Sequence, residues 1–369
     1  MPSYIHQIQT LNPDVSFTQE QLLEIMKKSC AGGDRKTERL LHRLYSQSGI
    51  ERRHCVLGGL SNDADTPSEH FYNAETDTPL TPTTQTRNEI YAHAIQLLAP
   101  KLACSLVADS DFSAQEITHV ITVSCTGFFQ PGPDFLVTKA LGLNPATERY
   151  HIGFMGCYAA FPALRMADTI CKANPDAVVL VMSMELCTLH LQWHAELDDL
   201  LAGSVFADGL GAAIVSARTP KPGRKPLRIE QFSSAIAPAE DTDMAWTIGD
   251  TGFRMRLSLY VPQIIEAQIS GAITPLLELG NIAQDNVDHW AVHPGGRAIL
   301  DKVESGLKLT PENLAPSRET LRNFGNMSSA TIFFVLQEIL NSAQPDESIV
   351  AMSFGPGLTV ESALLTRVG

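Results

Sequence analysis

The chain repeats itself once, and that repetition constrains its fold more than any other feature. Asp208-Gly209-Leu210-Gly211-Ala212-Ala213-Ile214-Val215 sets a glycine-rich turn before an apolar strand, and Gly355-Pro356-Gly357-Leu358 does the same ahead of Ser362-Ala363-Leu364-Leu365. A second echo joins His119-Val120-Ile121-Thr122-Val123-Ser124-Cys125 to His289-Trp290-Ala291-Val292-His293, each a strand leading into a polar or glycine-containing turn. Strands alternating with helical patterns predict a layered α/β protein. The segment Thr219-Pro220-Lys221-Pro222-Gly223-Arg224-Lys225-Pro226 is rich in proline and charge and breaks the chain between the copies. The expected organisation is two similar halves, residues 1–218 and 219–369, facing each other as a five-layered duplicated fold with the active site between them. Residues 61–88, polar and rich in Pro and Thr, read as a surface excursion.

A chain of 369 residues is too long for one small core, and 44% hydrophobic with 18% charged residues is ordinary for a soluble globular protein. Met1 to Thr10 lacks a basic segment followed by an apolar run, and no stretch approaches the roughly 18 apolar residues of a membrane span. Seven cysteines without paired spacing suit a reducing compartment, so a soluble cytoplasmic protein with no membrane partner is expected. The net charge of −14 argues against nucleic-acid binding. Against that trend, Arg35, Lys36, Arg39, Arg43, Arg52 and Arg53 cluster. They read either as a solvated helix face balanced by Glu38 and Glu51, or as a landing site for a phosphate-bearing ligand.

Cys157 is the candidate nucleophile. Tyr150 to Cys157 reads as a strand running into a glycine turn, and Phe161, Leu164, Ala167 and Cys171 then recur at helical spacing. A thiol at the start of a helix lies beside free N–H groups and the positive dipole end, which predicts a pKa drawn from about 8.5 towards neutrality. Downstream, His293-Pro294-Gly295-Gly296 and Gly325-Asn326-Met327-Ser328-Ser329 each set one polar side chain among small residues. One Cys, one His and one Asn suffice for a nucleophile, its partner and the donors for a developing oxyanion. Each residue also has a structural reading. Cys157 can be core, His293 a satisfied buried histidine, and Asn326 a cap for a helix over Ser328 to Leu340. Cys187, His190 and His194 have a spacing that zinc accepts, although they continue directly from the apolar strand Val178 to Met182.

Gly156-Cys157, His293-Pro294-Gly295-Gly296, Gly325-Asn326-Met327-Ser328-Ser329 and Phe354-Gly355-Pro356-Gly357 together resemble, in order and spacing, the type III polyketide synthases of the thiolase superfamily. Phe206-Ala207-Asp208-Gly209 is similar to that family's Phe-Gly-Asp-Gly segment. Ser124-Cys125-Thr126-Gly127 and Glu185-Leu186-Cys187 look more like its bacterial branch than its plant branch. The resemblance implies a homodimer of αβαβα subunits that needs no metal or organic cofactor. Cys157 would carry the acyl chain, and His293 and Asn326 would hold the malonyl thioester carbonyl. Phe206 matches an aromatic gatekeeper, Met255 stands where plant enzymes have a second phenylalanine, and Trp246 replaces a pocket glycine. Arg43 matches a basic position for the CoA phosphates, where Leu40 and Gln47 replace lysines. Cys125 and Ser328 belong to the substrate-binding set. Thr126 and Cys187 match positions lining a fatty-acyl tunnel in alkylpyrone-type enzymes, and Gln130 stands where their tunnel mouth has a small residue.

The implied reaction loads an acyl-CoA on Cys157 and extends it with malonyl-CoA by decarboxylation, ending in a pyrone or a phenolic ring. It requires no acidic base, in keeping with motifs free of Asp and Glu. Competing readings are an initiating ketoacyl-ACP synthase, which uses the same three residues, and an inactive acyl-CoA-binding protein on this fold.

Overall fold

The structure is a computed structural model describing residues 1–57, 70–73, 75–76, 78–238, 244–258 and 260–369. Among these residues, nine strands form one sheet: β1 (Ser3–Leu11), β2 (His119–Ser124), β3 (Glu148–Gly153), β4 (Val178–Leu186), β5 (Asp208–Ser216), β6 (Leu227–Ile236), β7 (His289–Val292), β8 (Ser348–Gly355) and β9 (Thr359–Arg367). Their order is β7-β8-β9-β6-β1-β5-β4-β2-β3.

The repetition in sequence is a repetition of strand pairing. β1 runs antiparallel to β5, β5 antiparallel to β4, and β4 parallel to β2. In the same sense β6 runs antiparallel to β9, β9 antiparallel to β8, and β8 parallel to β7. The echoing segments therefore occupy equivalent strands, β5 with β9 and β2 with β7. A short antiparallel contact of Ser3–Ile5 with Leu227–Ile229 joins the two sets, and Thr219 to Pro226 is the loop before it.

Side chains alternate across a strand, so neighbouring residues show what lies on each face. On β4, Leu180, Met182 and Met184 pack with Tyr91, Ile95, Ala99 and Leu102 of helix Thr84–Asp109. Val179 and Val181 face the other way, towards Phe161, Leu164 and Ala167 of helix Ala160–Ala173 and Ile332, Val335 and Leu336 of helix Thr331–Ser342. Ile349 and Ala351 of β8 close the same central core from the opposite side. Val350 and Met352 face Ile265, Ile269 and Ile273 of helix Val261–Leu279 and Leu300 and Val303 of helix Arg297–Leu307. Helix, sheet, paired helices, sheet, helix: this is the five-layered, duplicated αβαβα arrangement of the thiolase-like fold. Because β4 and β5 are buried along their whole length, they read as continuous apolar runs.

Helix Thr84–Asp109 is long and apolar enough to cross a membrane, yet its Ile95, Ala99, Leu102 and Leu106 belong to the core. It also corrects one expectation. Residues 61–69, 74 and 77 lie outside the described residues; of the others, several are exposed as expected, but the segment also reaches the core. Phe71 and Arg87 are fully buried, and the helix has begun by Thr84.

Candidate active site

The chain leaves β3 through two left-handed residues, Phe154 (φ 59°) and Gly156 (φ 87°), before Cys157 opens the turn into helix Ala160–Ala173. Glycine is required at 156 on two counts. Its φ is positive, and a Cβ there would lie 2.3 Å from Cδ of Pro356. The Gly355-Pro356-Gly357 element thus packs on the nucleophile turn, and Ser353 Oγ donates to the Cys157 carbonyl at 2.9 Å. Burial pushes the Cys157 thiol up to about 11, while the Ser328 hydroxyl works the other way. Desolvation thus acts against the expected pull of the helix end.

His293 follows β7, and its backbone N–H donates to the Met352 carbonyl at 2.8 Å. Its ring is buried, and neither ring nitrogen has a hydrogen-bond partner among the described residues. Burial lowers its pKa to about 3, so the imidazole is neutral. Asn326 sits where the halves meet. Its backbone exchanges hydrogen bonds with Val205 and Ala207, both 2.9 Å, on either side of Phe206. Its Nδ2 donates to the Gly295 carbonyl at 3.1 Å, and its Oδ1 accepts the Ser328 N–H at 2.9 Å. The Asn326 side chain thus holds the turn through its Oδ1, and one amide N–H is left to donate elsewhere. The helix after it is 3₁₀ over Ser328–Ala330 and α from Thr331.

Cys157, His293, Asn326 and Ser328 line one cavity of about 60 Å³ together with Cys125, Thr126, Cys187, Phe206, Trp246 and Met255. Gln130 and Arg43 do not reach it; both are exposed, Arg43 on helix Arg35–Ser46. The basic cluster also divides. Arg53 is buried, and its Nη1 donates to the carbonyls of Gly203 (2.8 Å) and Phe206 (2.7 Å). A second cavity of about 50 Å³ is lined by Leu22, Met26, Tyr45 and Arg53 and shares Cys187, Phe206, Trp246 and Met255 with the first. Those four side chains form the partition between the two spaces.

Glu185, read from the sequence only as a mark of the bacterial branch, sets a carboxylate behind the cavity wall. Fully buried on β4, its carboxylate accepts from the Cys125 N–H (3.0 Å), the Thr126 hydroxyl (2.9 Å) and the Ser329 hydroxyl. Desolvation nevertheless raises it from 4.5 to about 7. A carboxyl whose folded pKa is raised contributes stability that is present below about 4.5 and lost as pH rises through about 7. Glu185→Gln removes the ionisation, so its melting temperature should gain on wild type as pH goes from 5 to 8. The shift corresponds to at most a few kcal/mol; a constant difference across that range would contradict this reading.

The zinc reading of Cys187, His190 and His194 meets a different geometry. Cys187–His190 is a single 3₁₀ turn. His190 Nε2 lies 2.7 Å from the Thr126 carbonyl, its Nδ1 accepts the Phe253 N–H at 3.0 Å, and His194 meets Asp199 at 3.2 Å. The His190 ring stacks on Phe253 with centroids 4.1 Å apart and meets Trp246 edge-on, and Trp246 Nε1 donates to the Cys125 carbonyl at 2.9 Å. His190 is thus part of the aromatic wall. Its partners are far off in sequence, so no local spacing announces it.

A half-buried thiol, a neutral imidazole and an oriented amide, facing one apolar cavity, are the parts of a condensing enzyme. The comparisons make the class specific. The chain belongs to the chalcone and stilbene synthase family, the type III polyketide synthases: the family's N-terminal domain matches residues 2–219 and its C-terminal domain residues 228–369. It is 32% identical to type III polyketide synthase 21 of Oryza sativa subsp. japonica over 363 residues, 96% of this chain and 91% of the relative. It is 30% identical to 1,3,6,8-tetrahydroxynaphthalene synthase of Streptomyces griseus, covering 95% and 89%. Identity is 32% to the alpha-pyrone synthesis polyketide synthase-like Pks18 of Mycobacterium tuberculosis, covering 74% and 71%. The crystal structure of PKS-I from the brown alga Ectocarpus siliculosus superposes with a TM-score of 0.91 at 28% identity, covering 100% of this chain and 98% of that one. The chain is an acyltransferase that catalyses decarboxylative condensation, in a class that uses acyl-CoA and malonyl-CoA.

Proposed function

We propose that the enzyme loads a short or medium acyl-CoA starter on Cys157, extends it two or three times with malonyl-CoA, and releases a pyrone or a phenolic product. The partitioned cavity carries this reading. With Trp246 closing one side, backed by His190, a space of about 60 Å³ beside Cys157 leaves little room for a long acyl chain. The relatives fit both product types, one being named for a tetrahydroxynaphthalene and another for alpha-pyrone synthesis. Phe206 and Met255 act as the gate, and Arg43 and Arg39 hold the CoA phosphates outside it. The working form is a cytoplasmic homodimer, built from the halves 1–218 and 219–369.

The chemistry follows from the protonation states. The thiol gives its proton to neutral His293 as the sulfur attacks the starter thioester; the Cys157–acyl bond forms, the CoA–acyl bond breaks, and the proton leaves with the CoA sulfur. Malonyl-CoA then loses CO₂, and the resulting enolate oxygen is held by donors from His293 and Asn326. The enolate carbon attacks the acyl thioester and displaces Cys157, leaving a chain two carbons longer on CoA. An apolar cavity favours this step, because expelling CO₂ disperses a charge that water would stabilise.

Incubation with a panel of acyl-CoAs and malonyl-CoA, followed by mass spectrometry, should give triketides and tetraketides from short and medium starters. A preference for long-chain starters would overturn the size argument. Trp246→Gly removes on the order of 100 Å³ of side chain from the partition, and should merge the two cavities and yield longer products or accept bulkier starters. Iodoacetamide labelling of Cys157 should not change. An unaltered product profile in a destabilised protein would show that Trp246 is packing alone, a loss of about 3–5 kcal/mol for such a truncation.

A further inference from the structure

We infer that Arg87 is a positioning residue that sets the width of the condensing cavity from behind its wall. Its side chain is fully buried in the first turn of helix Thr84–Asp109, and no carboxylate among the described residues pairs with it. A buried cation costs free energy unless its donors are used; here Nη1 and Nε are used on backbone, while the buried Nη2 has no hydrogen-bond partner among the described residues. Nη1 donates to the carbonyls of Leu189 (2.6 Å) and Leu191 (2.9 Å), and Nε to that of Pro82 (3.1 Å). The guanidinium also lies over the ring of Phe71, 4.9 Å from its centroid. A planar fork can bridge two carbonyls in this way where an ammonium cannot hold the same geometry.

The two carbonyls it grips flank His190, whose ring bonds the Phe253 N–H and stacks on Phe253. Phe253 lies on the hairpin Met244–Gly249 and Gly252–Leu257, which pairs Trp246 directly with Met255. That hairpin stands apart from the nine-stranded sheet, so other contacts must fix its position. Arg254 meets Glu196 and Asp199, both at 2.9 Å, and the same helical turn supplies the contacts at the hairpin's tip. The Thr84 N–H donates to the Asp250 carbonyl at 2.8 Å, the Thr84 hydroxyl bonds Gly249, and the Gly252 N–H donates to Thr84 Oγ1 at 2.8 Å. Gly252 packs so closely on Arg87 that a Cβ would fall 2.9 Å from its Cδ. Arg87 therefore ties the His190 segment and the hairpin tip to one rigid helix, and the partition that carries Trp246 and Met255 takes its place from that tie.

The inference rests on the reading of this cavity as the condensing site, and the test separates the two. Arg87→Met should leave Cys157 alkylation and malonyl-CoA decarboxylation within about threefold of wild type. It should shift the product distribution towards longer chains, and raise the kcat/KM ratio of a ten-carbon over a four-carbon starter by fivefold or more. Arg87→Lys, which keeps the cation but not the planar fork, should shift the ratio in the same direction as Arg87→Met. A folded Arg87→Met protein with an unchanged ratio and profile overturns the proposal. If Arg87→Met does not fold, Arg87→Lys decides, since it keeps the charge and loses only the fork: the same shift supports the clamp, and none overturns it. Loss of decarboxylation in wild type would instead count against the site's function.

Discussion

Cys157→Ala is expected to abolish polyketide formation from every starter, while the fold and malonyl-CoA binding persist. The sulfur is the only part of this side chain the reaction uses, and alanine is tolerated in a turn whose demanding positions are Phe154 and Gly156. None of the neighbouring thiols can replace it. Cys125 and Cys187 line the same cavity, but desolvation first, and the Glu185 charge second, raise both well above the ordinary thiol range. The Cys125 sulfur is also already engaged by the Gly156 N–H at 2.9 Å. Residual product from the variant would mean that the acyl group is carried elsewhere.

Asn326→Ala should lower malonyl-CoA decarboxylation by roughly 10²–10³, the cost of removing one oxyanion donor, while Cys157 still reacts with iodoacetamide at close to the wild-type rate. His293→Ala should depress both. Burial pushes the thiol up to about 11, so at neutral pH it needs a proton acceptor as the sulfur attacks, a role we assign to His293, which lines the same cavity. Stopped-flow alkylation beside a CO₂-release assay separates the two activities. Equal loss of thiol reactivity in the two variants would contradict the division of labour.

Cys157, His293 and Asn326 were legible because each sits among small residues that shape a turn, and a turn is a local matter. The duplicated fold was legible for a related reason: equivalent strands kept equivalent apolar runs. The sign of the Cys157 shift was not. The helix end beside the sulfur can be read from neighbouring residues, whereas the burial that opposes it comes from Phe206, Trp246 and the rest of the wall. Glu185 lies within an apolar strand, and the donors that hold it come from residues 125, 126 and 329. Arg53 looked like part of a basic surface and is buried against Gly203 and Phe206. His190 suggested a metal ligand by spacing and instead bridges Thr126 and Phe253. In each case the deciding partner is distant in the chain.

The central claim is that one cysteine among seven carries the acyl chain through condensation. Brief incubation with a starter acyl-CoA, acid quenching and peptide mapping by mass spectrometry tests it directly. The acyl mass should appear on the peptide bearing Cys157 and disappear when malonyl-CoA is added. Acyl mass on Cys125 or Cys187, or an adduct on Cys157 that malonyl-CoA does not discharge, would contradict the account.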